Sequence, residues 1–173
     1  MLLYVGIGLG ILLVILIAVL VLALIMQYRK IANLKKVVQE SYSTLKVFLD
    51  KRLEIVINLL SMCSENDLKN KEISHLLSIV NGIKQNIESS KRYSFESSLD
   101  NSFKTSVATL AKINENNAKF QNLLNNFQSV QADVISSKNY YNNNVEAYNK
   151  KLTKTPSAWV ANIFGFKKEF YIK

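Results

Sequence analysis

Proline occurs once in the 173 residues, at position 156; cysteine once, at 63; histidine once, at 75. Glycine is almost as scarce. Beyond residue 26 there are only two, Gly82 and Gly165. A chain so poor in turn formers cannot supply the many tight turns of a β-sandwich or barrel. The lone Cys63 excludes an intramolecular disulfide scaffold and fits a reducing compartment. The lone His75 has no second ligand at helical spacing, so no metal site is expected. No glycine-rich phosphate loop and no paired-carboxylate pattern is present. The sequence therefore points away from enzymes and from cofactor binding.

Charge is missing from one end. Residues 1–26 contain no Asp, Glu, Lys, Arg, His, Asn or Gln. As a helix this run reaches about 39 Å, enough to cross a hydrocarbon core of about 30 Å with some tilt. A cleaved signal peptide fits less well: there is no basic leading region, the apolar run is too long, and no A-x-A site precedes Gln27. Residues 1–26 are thus expected to be a single-pass transmembrane anchor. Arg29, Lys30, Lys35 and Lys36 follow it, and no charge precedes it, so the positive-inside rule places the N-terminus outside and the rest in the cytoplasm at the plasma membrane. Tyr28 stands where an interfacial aromatic is expected. Gly6 and Gly10 form a G-x-x-x-G pair, which lets membrane helices approach closely and suggests a homo-oligomer.

The next 128 positions, 27–154, show helical periodicity. Ile31, Leu34, Val38, Leu45, Phe48, Ile55, Leu59 and Met62 make one apolar row. A second runs through Tyr42, Leu45, Leu49, Leu53, Val56, Leu60 and Cys63, and no breaker separates these rows from the anchor. The stretch Ser64–Asp67 offers breakers and caps. A second helix is expected at about 70–90 through Ile73, Leu76, Leu77, Val80, Ile83 and Ile87. After a turn at Ser89–Ser94, a third is expected at about 95–114, with Leu99, Phe103, Val107, Leu110 and Ile113 inward. An Asn-rich break at 114–117 supplies a cap for a long fourth helix at about 117–154. The seam of that helix, Phe120, Leu124, Phe127, Gln131, Val134, Lys138, Tyr141, Val145, Tyr148 and Leu152, is a heptad pattern of coiled-coil type, and Pro156 ends it. The fold expected is all-α: a transmembrane helix continuing into an antiparallel four-helix bundle with long first and last helices.

Residues 155–173 form a tail in which Trp159, Phe164, Phe166, Phe170 and Tyr171 alternate with lysines. Such a segment either docks on the bundle or lies on a lipid surface. The net charge of +9 comes from 19 Lys but only three Arg. Placed mainly beside the anchor and in the tail, it suits an anionic leaflet, at about 1 kcal/mol for each nearby cation, better than nucleic acid.

Two stretches are similar to the LemA family. The first covers Asn33–Val38 and Tyr42–Leu60, including Arg52 and Asn58. The second, Lys138–Asn149, resembles the family's R-x-x-Y-N-x-x-V-x-x-Y-N signature through Tyr141, Asn142, Val145, Tyr148 and Asn149. Pro156 and the run Phe164-Gly165-Phe166-Lys167 follow in the family's order. The chain departs from the pattern at Tyr42 for Trp, Lys46 for Asp, Asp50 for the first basic residue of a basic run, Ile57 for Pro and Thr155 for Phe. The resemblance implies a membrane-anchored helical bundle without an established activity. Tyr141 and Tyr148, seven residues apart, share a helix face; they are expected either to pack and hydrogen-bond within the bundle or to form a polar–aromatic recognition patch. Arg52 falls near the seam with no partner identifiable from sequence.

Together these features suggest a non-enzymatic membrane-tethered scaffold or adaptor with an unidentified protein partner. The alternatives are an anionic-lipid-surface module using residues 157–173 and an accessory subunit of an envelope enzyme or protease. Trp159, Gly165, Phe166 and Lys167 join Arg52, Asn58 and the Tyr-Asn pairs as candidate interaction residues.

Overall fold

The computed structural model describes residues 2–86, 92–115 and 117–172, apart from the side chains of 2–7 and 9. Among them the chain is all-helical: α1 Leu2–Leu60, a 3-10 turn Asp67–Lys69, α2 Lys71–Gln85, α3 Arg92–Ile113, α4 Ala118–Thr153 and α5 Ser157–Ile163. With no glycine or proline between Gly10 and Leu60, nothing interrupts the first helix, and it runs unbroken from the apolar end into the amphipathic rows. An 18-residue window in its first half has a mean hydropathy of 3.1 and no buried residue, so it is long and apolar enough to cross a membrane.

The polar stretch after α1 stops it by offering the backbone other partners. Ser64 N and Oγ both donate to Asp67 Oδ2, at 2.8 and 2.6 Å. These bonds hold the Asp67 carboxyl below its usual range. Asn70 Oδ1 caps α2 by accepting from Glu72 N at 2.9 Å, and Asn117 Oδ1 caps α4 by accepting from Lys119 N at 3.0 Å.

The chain forms two compact units, Met1–Tyr42 with Tyr141–Tyr171, and Ser43–Tyr140 with Ile172–Lys173. In the second, α2 and α3 pack together and Phe103 of α3 stacks on Phe127 of α4 at 3.8 Å between ring centroids. Gly82 permits the α2–α3 contact. A Cβ there would lie 2.5 Å from Cε1 of the Phe95 ring. Cys63, three residues beyond α1, has its thiol pushed up by partial burial and then by Asp67. The first unit buries Ile31 and Val38 of α1, Val145 and Tyr148 of α4, and Val160 of α5.

The seam expected for α4 is observed, with Leu124, Gln131 and Lys138 only partly buried. Four expectations need correction. α2 stops at Gln85, and Ile87 and the first half of the expected turn at 89–94 lie outside the described residues. Arg92, Tyr93 and Ser94 are the first turn of α3, because Arg92 is drawn in by Glu96 one turn later and by Asp50. Ile113 is 36% exposed at the frayed end of α3, where Asn114 takes the buried place. Tyr42 is likewise exposed, its ring 5.9 Å from that of Tyr141. The tail contains a helix, α5, that periodicity did not indicate.

Candidate functional site: a tail held by the Tyr-Asn motif

Positions 141 and 148 are two helical turns apart on α4, so their rings lie on one face, 6% and 0% exposed. Their hydroxyls reach the tail. Tyr141 Oη donates to the Phe170 carbonyl at 2.9 Å and Tyr148 Oη to the Lys167 carbonyl at 3.0 Å. Asn149 makes two bonds to one residue: its Nδ2 donates to the Glu169 carbonyl at 2.9 Å, and its Oδ1 accepts from Glu169 N at 3.0 Å. Each such bond contributes about 0.5–1.5 kcal/mol net. Burial raises both phenols above their ordinary value, and the Glu169 carboxylate adds to this. Both therefore stay protonated and able to donate at neutral pH. Asn142 of the same motif is half-buried and Asn144 has a buried amide nitrogen.

The tail reaches this face by a reversal at Gly165. Its φ of +70° lies in the left-handed region that glycine adopts without penalty. Phe164 N donates to the Val160 carbonyl at 3.0 Å and Phe166 N to the Ala161 carbonyl at 2.9 Å, the six-to-one bond of a Schellman cap. Gly165 thus ends α5 and turns Phe166 back. The rings of Phe164 and Phe166 then meet Tyr28 of α1, with centroids 4.8 and 5.6 Å away. Lys35 Nζ lies 5.9 Å from the Phe166 ring. At the other end of α5, Ser157 Oγ donates to Gln27 Oε1 at 3.0 Å. Lys167 engages through its carbonyl and keeps its side chain exposed; Trp159 is 65% exposed.

In the other unit, Arg52 is 1% exposed and carries a buried charge network. Its Nη2 donates to Glu96 Oε2 at 2.5 Å, and its Nη1 to Asp100 Oδ1 at 2.6 Å and Gln131 Oε1 at 2.9 Å. Gln131 Nε2 closes the ring by donating to Asp100 Oδ1 at 3.1 Å. The second Glu96 oxygen accepts from Arg92 Nε at 2.9 Å, and Arg92 Nη2 stands 2.7 Å from Asp50 Oδ1. Burial works against the Arg92 charge, but the bonds to Asp50 and Glu96 outweigh it and raise its pKa. A buried guanidinium is tolerated when opposite charges and acceptors surround it in this way, although Arg52 Nε is buried here without a hydrogen-bond partner. The network ties α1, α3 and α4 together.

The structure thus gathers Tyr141, Tyr148, Asn149, Gly165, Phe166 and Lys167 into one site and places Arg52 in another. Asn58 is exposed, and only its carbonyl has a described bond, accepting from Ser61 Oγ at 2.7 Å. Gly10 has open space around it, and the surroundings of Gly6 lie outside the described residues. Sequence reasoning missed Glu96 and Asp100, although Arg92, Glu96 and Asp100 follow one another at the four-residue step of a single helix face. Among the described residues no group of three or more His, Cys, Asp or Glu could hold a metal ion.

A search of curated proteins finds no match. The model of the LemA family matches residues 41–173, a span that takes in the Arg52 network, the Tyr-Asn motif and the Phe-Gly-Phe-Lys reversal. With most of its length so matched, the chain belongs to the LemA family.

Proposed function

We propose that the chain is a non-enzymatic scaffold or adaptor anchored in the plasma membrane. Residues 1–26 cross the bilayer with the N-terminus outside. The amphipathic part of α1 then joins α2, α3 and α4 in an antiparallel four-helix bundle in the cytoplasm, which presents its surface and tail to a protein partner. The observation that carries this is how the Tyr-Asn motif is engaged. Tyr141, Tyr148 and Asn149 all hold main-chain groups of the tail. That engagement supports a motif that shapes a surface for recognition.

The test is photo-crosslinking of the full chain in native membranes. The benzophenone amino acid is placed at Tyr140, which is 57% exposed, or at Phe170, which is 83% exposed. Discrete protein adducts are expected at one site or both. Adducts at Phe170 should disappear when Tyr148→Phe and Asn149→Ala release the tail. Lipid adducts alone at both positions would refute the adaptor. For orientation, Glu65→Cys in a Cys63→Ser background should react with an impermeant maleimide only after the cells are opened.

A further inference from the structure

α5 has one buried face and one exposed face. Ser157, Val160 and Ala161 are buried, whereas Trp159 and Ile163, one turn apart, are 65% and 71% exposed, with Phe164 at 56%. A helix that shows water its large apolar side chains marks a surface covered by something else. What lies beside it indicates what that is. An open-sided cavity of about 300 Å³ is lined by Val21, Leu24, Ile25 and Tyr28 of α1 and by Ile163 and Phe164 at the end of α5, most of them exposed. Its lining is wholly apolar, so it offers water no polar partners. Three of its walls belong to the uncharged run that ends at Met26.

The cavity also lies in the strongly basic unit. That unit carries nine Lys and Arg against three acidic residues, Glu40, Glu146 and Glu169, whereas the other has thirteen against ten. Arg29 and Lys30 follow Tyr28 directly and are exposed, Lys35 stands over Phe166, and Lys167 and Lys168 follow that ring. Cations that follow the residues of a hydrocarbon-lined cavity along the chain, with Tyr28 in its wall, complement a molecule with an anionic head and an apolar chain.

We infer that this cavity is a binding site for an anionic phospholipid, whose acyl chain fills the space between α1 and α5 while its phosphate meets the cations that follow Tyr28 and Phe166. α5 is then a short interfacial element, its Trp159–Ile163 face seated at the acyl–headgroup boundary. The residues after Phe166 do not enter the lipid, because Tyr141, Tyr148 and Asn149 hold their main chain on α4. The lipid site presupposes that the apolar part of α1 crosses the bilayer, as proposed above.

Trp159 is the single tryptophan and reports its own surroundings. The full chain is reconstituted in liposomes of phosphatidylcholine with phosphatidylglycerol, with acyl-chain bromine on one lipid or the other at equal mole fraction. Brominated phosphatidylglycerol is expected to quench Trp159 about fivefold more than brominated phosphatidylcholine, the enrichment that one nearby cation gives an anionic lipid. Combining Arg29→Gln, Lys35→Gln and Lys168→Gln should abolish the difference while leaving quenching itself intact. Equal quenching by the two lipids in the unsubstituted chain, or none, overturns the site. Flotation after an alkaline wash separates the two failures. A chain that floats without selective quenching lacks the lipid site; a chain that does not float overturns the membrane span and the lipid site with it.

Discussion

Arg52 shows how much one buried charge can depend on its neighbours. With the guanidinium gone, among the described residues Glu96 keeps Arg92 alone, and Asp100 keeps Gln131 alone. Arg52→Ala should lower the unfolding free energy by about 3–5 kcal/mol, read from denaturant unfolding of the detergent-solubilised chain. Arg52→Lys keeps the charge but loses the planar fork, so it should fall between the two. Sequence marked Arg52 as a charge close to an apolar row. Its partners, 44, 48 and 79 residues away, could not be named, because periodicity fixes which face a residue occupies and not what faces it. The tyrosines behave in the same way: heptad spacing placed them inward, while their acceptors on an irregular tail left no pattern to read. Their ionisation gives a second test. Each phenol is raised above its unfolded value of about 10, so the folded chain holds those protons more tightly than the unfolded chain. Their contribution to stability is whole below about pH 10 and is lost as pH climbs through the raised values. Spectrophotometric titration should show a late tyrosinate phase that vanishes in the Tyr141→Phe/Tyr148→Phe chain.

At the scale of elements, the long helices were legible because many turns repeat the same stripe. α5 was not, since seven residues make fewer than two turns and its exposed face is as apolar as its buried one. The start of α3 was misplaced because Ser94 and its neighbours look like turn residues, while Arg92 is held by Glu96 one turn later and by the distant Asp50. The two glycines outside the anchor separate two kinds of requirement. At Gly165 the backbone itself needs the absence of a Cβ, so Gly165→Ala should cost about 1–2 kcal/mol and faster amide exchange should be confined to the tail. At Gly82 the backbone is ordinary helix and the constraint is Phe95. Gly82→Ala gains about 1 kcal/mol of helix propensity against about 1–3 kcal/mol of overpacking. It should be mildly destabilising, and Phe95→Leu, which removes the obstructing ring edge, should reverse the sign.

For the molecule as a whole, the uneven division of charge matters more than its total. The unit that carries the apolar helix has a net charge of +6 and the other +3, although the second holds more ionisable residues. The excess therefore accompanies the segment proposed to meet the bilayer. The apolar helix also carries Gly8 and Gly10, where an added Cβ would meet nothing. If a second copy packs there through the G-x-x-x-G pair, crosslinking of the full chain in membranes should yield a dimer, and Gly6→Ile/Gly10→Ile should remove it. An unchanged crosslinking pattern would assign those glycines to lipid-facing helix.

The grip of Asn149 on the tail has a consequence for what the tail can become. A carboxamide side chain is chemically a piece of peptide bond, and here it pairs with the main chain of Glu169 as a neighbouring strand would. The Tyr141 and Tyr148 hydroxyls likewise bond main-chain carbonyls of the tail. The cradle is therefore blind to side-chain identity, so positions 167–170 can be rewritten without losing their seat. Glu169→Ala should leave the tail in place, whereas Glu169→Pro, lacking the N–H, should free it; amide exchange at 167–170 distinguishes the two.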